Sequence, residues 1–174
     1  SMNFGSRGLT KLDYGRFLAA CLSYLSSKQR DRVGLVTFDD DVVERVPPSA
    51  KHFDVALHTL DKMNPKRSGA LGPPLYKMTE FFKRRSILAI ISDFYDEPAK
   101  VLDAVKPLRF AGNDVIMFHV LDPAEVDFPY DESTSFQDVE TGRKVPVVPD
   151  KLRDQYRQLI KDHIEELSQL CNQN

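Results

Sequence analysis

Apolar residues at Tyr14, Phe17, Leu18, Cys21, Leu22 and Leu25 recur at helical spacing and predict an amphipathic helix over residues 12–28. The period then changes. Arg32-Val-Gly-Leu-Val-Thr-Phe38 is a nearly continuous apolar run, the pattern of a strand covered on both faces. Asp39-Asp40-Asp41 makes a turn, and residues 42–46 return as an antiparallel edge strand stopped by Pro47 and Pro48. A second helix is predicted over 50–63, with Phe53, Ala56, Leu57 and Leu60 on one face. After a loop at 64–72, Pro73 and Pro74 suit the first turn of a third helix. Leu75, Met78, Phe81 and Phe82 form its buried side.

The stretch Ser86-Ile-Leu-Ala-Ile-Ile-Ser-Asp-Phe94 is the most informative: a buried apolar strand over 87–92 that ends abruptly in Asp93. A helix over 98–110 follows, and Gly112-Asn113 turns the chain into a strand over 114–121. Helices alternate with strands, so the expected fold is α/β, a doubly wound and mainly parallel sheet. The three apolar strands are expected to run parallel with helices on both faces. Residues 122–148, rich in proline, read as a loop and hairpin excursion, with strands at 134–139 and 144–148. A long C-terminal helix occupies 149–173, with Leu152, Tyr156, Leu159, Ile160, His163, Leu167 and Leu170 on one face. The whole of residues 1–174 reads as a single domain, a size that suits one hydrophobic core.

A net charge of −2 gives no clustered excess of Lys and Arg for nucleic acid or an anionic membrane. Lys83-Arg84-Arg85 closes a helix, where cations suit the dipole. Cys21 and Cys171 lie on apolar helix faces and read as small core residues in a reducing compartment. No apolar run reaches the roughly 18–20 residues of a membrane span, and the N-terminus lacks the regions of a signal peptide, so a cytoplasmic location is expected.

Catalytic machinery is sparse, and no enzyme is expected. Gly34 and the glycines at 69–72 form no phosphate loop, since no Gly-Lys pair occurs. His52, His58, His119 and His163 are scattered without zinc-ligand spacing, and His119 reads as a satisfied core group. Ser92 has no base near it in sequence. Asp39-Asp40-Asp41 reads as a solvated turn, and Asp96 as a cap for the following helix. Capping leaves Asp93 unexplained, at the sheet edge where ligands of open α/β folds bind.

Several motifs in order resemble one family: Ser1-Met-Asn-Phe-Gly-Ser6, Lys11-Leu-Asp-Tyr14, Asp31-Arg-Val-Gly-Leu-Val-Thr-Phe38, Ile90-Ile-Ser-Asp93, Phe118-His-Val-Leu-Asp-Pro123, Asp127-Phe-Pro-Tyr130, Glu140-Thr-Gly142, and the tail from Leu152-Arg153 to Tyr156-Arg157. Together they resemble the Domain of Unknown Function 58 family of bacterial proteins, which carries a von Willebrand factor A-like domain. The likeness covers essentially the whole chain. It implies a non-enzymatic protein-interaction domain, an adaptor working with a MoxR-type AAA+ ATPase. The alternatives are a truncated scaffold without metal-dependent binding and, further off, a hydrolase acting through Asp93.

Von Willebrand A domains that bind Mg²⁺ use a first-strand Asp-x-Ser-x-Ser, a loop Thr and an Asp ending a later strand. Asp93 matches the last of these. Ser1 falls at the final Ser of the first motif, and the loop Thr corresponds to Ser68 or Gly69. The Asp and first Ser lie upstream of this chain, so the resemblance implies an incomplete metal site and no bound cofactor here, with Mg²⁺ expected in a longer form. It also implies that a central strand, between the strands at 33–38 and 87–92, precedes this chain. The family commonly continues past the last helix into another strand, so the chain is expected to be part of a longer protein. The empty slot is expected to be filled by residues 1–8, by direct closure of its flanking strands, or by exchange with a second copy, and a homodimer is favoured.

Overall fold

Thr10 starts the first helix, α1 (Lys11–Lys28), through a reciprocal capping box: its hydroxyl accepts from the Asp13 N–H, and the Asp13 carboxylate accepts from the Thr10 backbone. The two N–H groups that this box leaves open, those of Lys11 and Leu12, donate to the carbonyls of Phe4 and Met2. The N-terminal loop is therefore tied under the helix. The structure, a computed structural model, describes residues 2–64, 70–82, 85–130 and 152–173, with the backbone alone at 134–137, 144–147 and 149–151.

After α1 come β1 (Val33–Phe38), β2 (Val42–Ser49), α2 (Phe53–Lys62), α3 (Gly72–Met78), β3 (Ile87–Ser92), α4 (Pro98–Phe110), β4 (Asp114–His119), α5 (Pro123–Asp127), β5 (Thr134–Gln137), β6 (Lys144–Val147) and α6 (Pro149–Gln173). The molecule is thus mixed α/β with short sheets and a long C-terminal helix, as the hydrophobic pattern indicates at that coarser level. Among the described residues β1 pairs with β2 antiparallel, β3 with β4 parallel and β5 with β6 antiparallel, in three separate two-stranded ladders. β2 runs through Pro47 and Pro48 rather than stopping before them. It is an edge strand, where a missing N–H is tolerated. Gly34 faces it so closely that a Cβ there would lie 2.9 Å from the Pro48 ring.

Leu71, Leu75, Met78, Ile90, Phe94, Val101, Leu102, Val105, Leu108 and Leu167 form the buried cluster between α3, α4, α6 and one face of β3. Val36 and Phe38 of β1 join it at the margin. The opposite face of the β3–β4 pair is not covered as expected: Ile87 and Ile116 are exposed, and α1 meets that face at Ile91, beneath Gly15. Close approach at Gly15 turns α1 so that Lys11, Leu12, Gly15 and Ser23 are buried. The stripe expected inside, including Tyr14, Phe17, Cys21 and Leu25, is exposed instead. Helical spacing identifies an apolar face; it does not identify what covers that face. Likewise Leu152 and Leu159 of α6 are exposed while Ile160 and Leu167 are buried. Cys171 is half-buried with its thiol 3.6 Å from the Met117 sulfur, so the core reading holds for Cys171 alone.

β1 and β3 face each other across a cleft of about 2190 Å³ instead of sharing a ladder. Met2 and Phe4 reach its wall without forming a strand, and the flanking strands do not close upon each other. Unpaired strand edges are templates for another strand. Sedimentation velocity across a wide concentration range is expected to show reversible self-association, and a monomer persisting at the highest concentration would refute pairing through these edges.

Candidate functional site

β3 delivers Asp93 to the C-terminal edge of the parallel pair, and the backbone then bends sharply through Phe94, whose φ of 41° is left-handed without being glycine. Such a conformation persists where the surroundings over-determine it. Here Phe94 is buried at 2% exposure, and its carbonyl accepts from His163 Nε2 at 2.9 Å.

The Asp93 carboxylate meets Lys11. The ammonium lies 3.0 Å from Asp93 Oδ2 and 2.8 Å from Glu125 Oε1, and 4.7 Å above the centre of the Tyr95 ring. The Lys11 side chain is only 2% exposed. Glu125 reaches this position through a second capping box, at the start of α5: its other oxygen accepts from the Asp122 N–H at 2.9 Å. Asp122 in turn accepts from the Ala124 N–H and binds Ser6 twice, the backbone N–H at 2.8 Å and the hydroxyl at 2.5 Å. Burial works against the Asp122 charge, but the hydrogen bonds from Ser6 and Ala124 outweigh it and hold its carboxyl below the usual range. The Tyr95 phenol is pushed well above its ordinary value by burial and by the negative charge of Glu125, to which it hydrogen-bonds.

His119 packs edge-on between Phe94 and His163, with ring centroids 5.9 Å from each. Burial lowers its pKa against the opposing effect of a hydrogen bond that the ring donates to the Asp93 backbone carbonyl, and its Nε2 has no hydrogen-bond partner among the described residues. The satisfied-core reading of His119 is corrected in that detail: the ring is stacked rather than fully bonded. Asp96 is also reassigned. Its carboxylate accepts from the Leu71 N–H at 2.9 Å, ahead of α3, while α4 begins at Glu97 without a side-chain cap.

Of the residues matched to the metal motif, Asp93 is seen with Lys11 and Glu125 about it; Ser1 and Ser68 lie outside the described residues. A fixed ammonium beside Asp93 Oδ2 opposes a second cation there. No group of three His, Cys, Asp or Glu side chains among the described residues could hold a metal ion. The described residues do not fit a divalent ion at Asp93. Among the described residues, Ser6 donates to a carboxylate that is a weak base, and the Ser92 hydroxyl accepts from Phe94 N. Asp41 of the acidic turn is exposed and paired with Lys77 at 2.9 Å.

A family model described as a protein of unknown function, DUF58, matches residues 1–166. The chain belongs to the DUF58 family. Uncharacterised proteins of Mycobacterium bovis and Mycobacterium tuberculosis are each 28% identical to it over 172 residues, covering 94% of this chain and 53% of theirs. This DUF58 chain therefore spans about half the length of the curated relatives it matches. Two solved structures share its fold at a TM-score of 0.61. One is an aerotolerance-related membrane protein of Bacteroides fragilis, 16% identical, with 97% of this chain and 94% of that chain covered. The other is the conserved hypothetical protein BatB of Bacteroides thetaiotaomicron, 17% identical, with 99% and 94% covered. Among the described residues no helix is long and apolar enough to cross a membrane.

Lys11, Glu125, Asp122, Ser6 and Tyr95 were not legible as site residues in the DUF58 sequence. The signal that could have found them is Asp122-Pro-Ala-Glu125, a capping-box spacing, together with a lysine in the first turn of a helix, where a cation is disfavoured. Replacing Asp122 by Asn is expected to destabilise the fold at pH 7 by roughly 1.5–3 kcal/mol, the range for hydrogen bonds to charged groups. A carboxyl depressed in the folded state stabilises above its unfolded pKa, and that contribution disappears as pH falls through the folded one. Urea unfolding should therefore show wild type and Asp122→Asn converging below pH 3.8; a constant gap would exclude the carboxylate as the cause.

Proposed function

We propose that this chain is a von Willebrand A-like, doubly wound domain with a non-enzymatic role in protein interaction, an adaptor in the cytoplasm for a MoxR-type AAA+ ATPase. The observation that carries the reading is the outward side of α1. Tyr14, Phe17, Tyr24 and Leu25 are each at least half exposed, and Tyr24 leans on Phe53 of α2 with ring centroids 6.1 Å apart. Ala20, Cys21, Tyr24 and Leu25 of α1 and Phe53 and Leu57 of α2 line an apolar depression of about 520 Å³ there. Contiguous apolar surface of this kind marks protein contacts more often than chemistry, and aromatic side chains are the usual anchors of such contacts.

A second reading, a scaffold whose binding needs no metal, is favoured by the contact of Lys11 with Asp93. The two readings differ only in whether a cation bridges domain and partner. A hydrolase is supported least, because the carboxylates at the sheet edge are engaged with Lys11, Ser6 and backbone N–H groups.

Binding of a purified MoxR-type ATPase from the same organism, followed by calorimetry, tests both. The double substitution Phe17→Ser, Tyr24→Ser is expected to weaken binding at least tenfold, about 1.4 kcal/mol, while leaving the melting temperature within about 2 °C. Affinity unchanged in EDTA selects the scaffold, and affinity lost in EDTA selects the metal-bridged adaptor. No binding by wild type refutes the partner.

A further inference from the structure

We propose that the Lys11 ammonium is the resident cation of this sheet edge, a covalently tethered charge standing where a divalent ion would otherwise balance Asp93 and Glu125. The proposal is independent of the adaptor reading and of any partner. It rests on three features of the geometry. An ammonium has three donors and no acceptor, and two of its directions are taken by Asp93 Oδ2 at 3.0 Å and Glu125 Oε1 at 2.8 Å. The third side is closed by the face of Tyr95, 4.7 Å away, whose quadrupole attracts a cation. Finally, the side chain is 2% exposed, so the charge is held without bulk water to solvate it.

Its placement in sequence is equally informative. Lys11 is the first residue of α1, where the macrodipole and any free N–H groups favour an anion, so helix formation gives no reason for a lysine there. The carboxylates supply the reason. Two acidic groups from different elements, one at the end of β3 and one in α5, converge on a single point, and a single positive charge occupies it. A hard divalent ion seeks the same oxygens at about 2.0–2.6 Å, and in this chain it would have to displace a buried ammonium to reach them.

Thermal melting of wild type, Lys11→Arg and Lys11→Met in EDTA and in millimolar Mg²⁺ or Mn²⁺ tests this. Wild type is expected to melt at the same temperature in all three solutions. Lys11→Met, with two carboxylates left unbalanced, should melt at least about 5 °C lower in EDTA and regain part of the loss in either cation. Lys11→Arg should stay insensitive to cations. A Lys11→Met protein that melts like wild type, or that folds and gains nothing from cation, would reduce Lys11 to an ordinary ion pair and overturn the assignment. Should Lys11→Met not fold, wild type alone decides: Mn²⁺ is expected to leave the amide resonances of residues 11, 93 and 125 sharp, and selective paramagnetic broadening there would show that an ion displaces the lysine.

Discussion

A positive charge in the first turn of a helix, buried to 2% exposure, is the constraint on which the upper edge of this molecule depends. Opposition from the helix dipole is worth only about 0.3–1 kcal/mol. Removing an ammonium from water costs several kcal/mol more, so burial is the term that must be offset. No residue of α1 does it. Asp93 comes from the end of β3 and Glu125 from α5, so the ion pair exists only when those elements and α1 are in place. Loss of α1 would leave two carboxylates without their cation, and loss of either carboxylate would leave the buried ammonium one partner short. The cluster therefore reports on tertiary assembly more than it adds to stability, since a well-formed buried pair is worth little net.

The same edge fastens the N-terminal loop. Ser6 binds Asp122, and the carbonyls of Met2 and Phe4 cap the first N–H groups of α1. With those groups and the Thr10–Asp13 box satisfied, the start of α1 has no open donors left for an anion, despite its dipole. A loop, the starts of two helices and, through Lys11, a strand end are thus linked around two carboxylates, Asp122 and Glu125, that belong to one capping box. Replacing either would loosen several elements together, because Asp122 accepts from both Ser6 and Ala124, and Glu125 accepts from both Lys11 and the Asp122 N–H.

How much of this the sequence reveals follows from which forces are local. Helix α4 and strands β3 and β4 were legible because period, proline and turn residues specify them within a few positions. The long C-terminal helix was legible for the same reason. The inward side of α1 was not: its strongest apolar stripe is exposed, and the buried side carries only Leu12 as a large apolar residue, beside Lys11, the small Gly15 and Ser23. Asp93 stood out as a lone carboxylate after an apolar strand. Its partners could not, because Lys11 and Glu125 lie 82 and 114 residues from what they touch, and nothing local distinguishes them from solvated charges. Asp96 misleads in the same way, since its position before α4 suits a cap while its actual acceptor role is to Leu71, 25 residues earlier.

The cleft and the ion pair are physically coupled. Asp93, Tyr95 and Glu125 line the same cavity that separates β1 from β3, so one side of the charged cluster faces a volume large enough to hold water. Water there lowers the effective field between Lys11 and its carboxylates, because charge pairs weaken as the local dielectric rises. Any segment that occupies the cleft acts on both features at once. It satisfies the backbone groups at the facing edges of β1 and β3, and it removes solvent from beside the carboxylates that hold the ammonium. Strand pairing and electrostatics would then favour the same filled state, and the free energy of filling would exceed what the backbone hydrogen bonds supply alone. The exposed Ile87 lies on the same wall, near the other end of β3, so apolar burial would add to the same process. A sheet left open at this position is therefore open where its own side chains most favour closure.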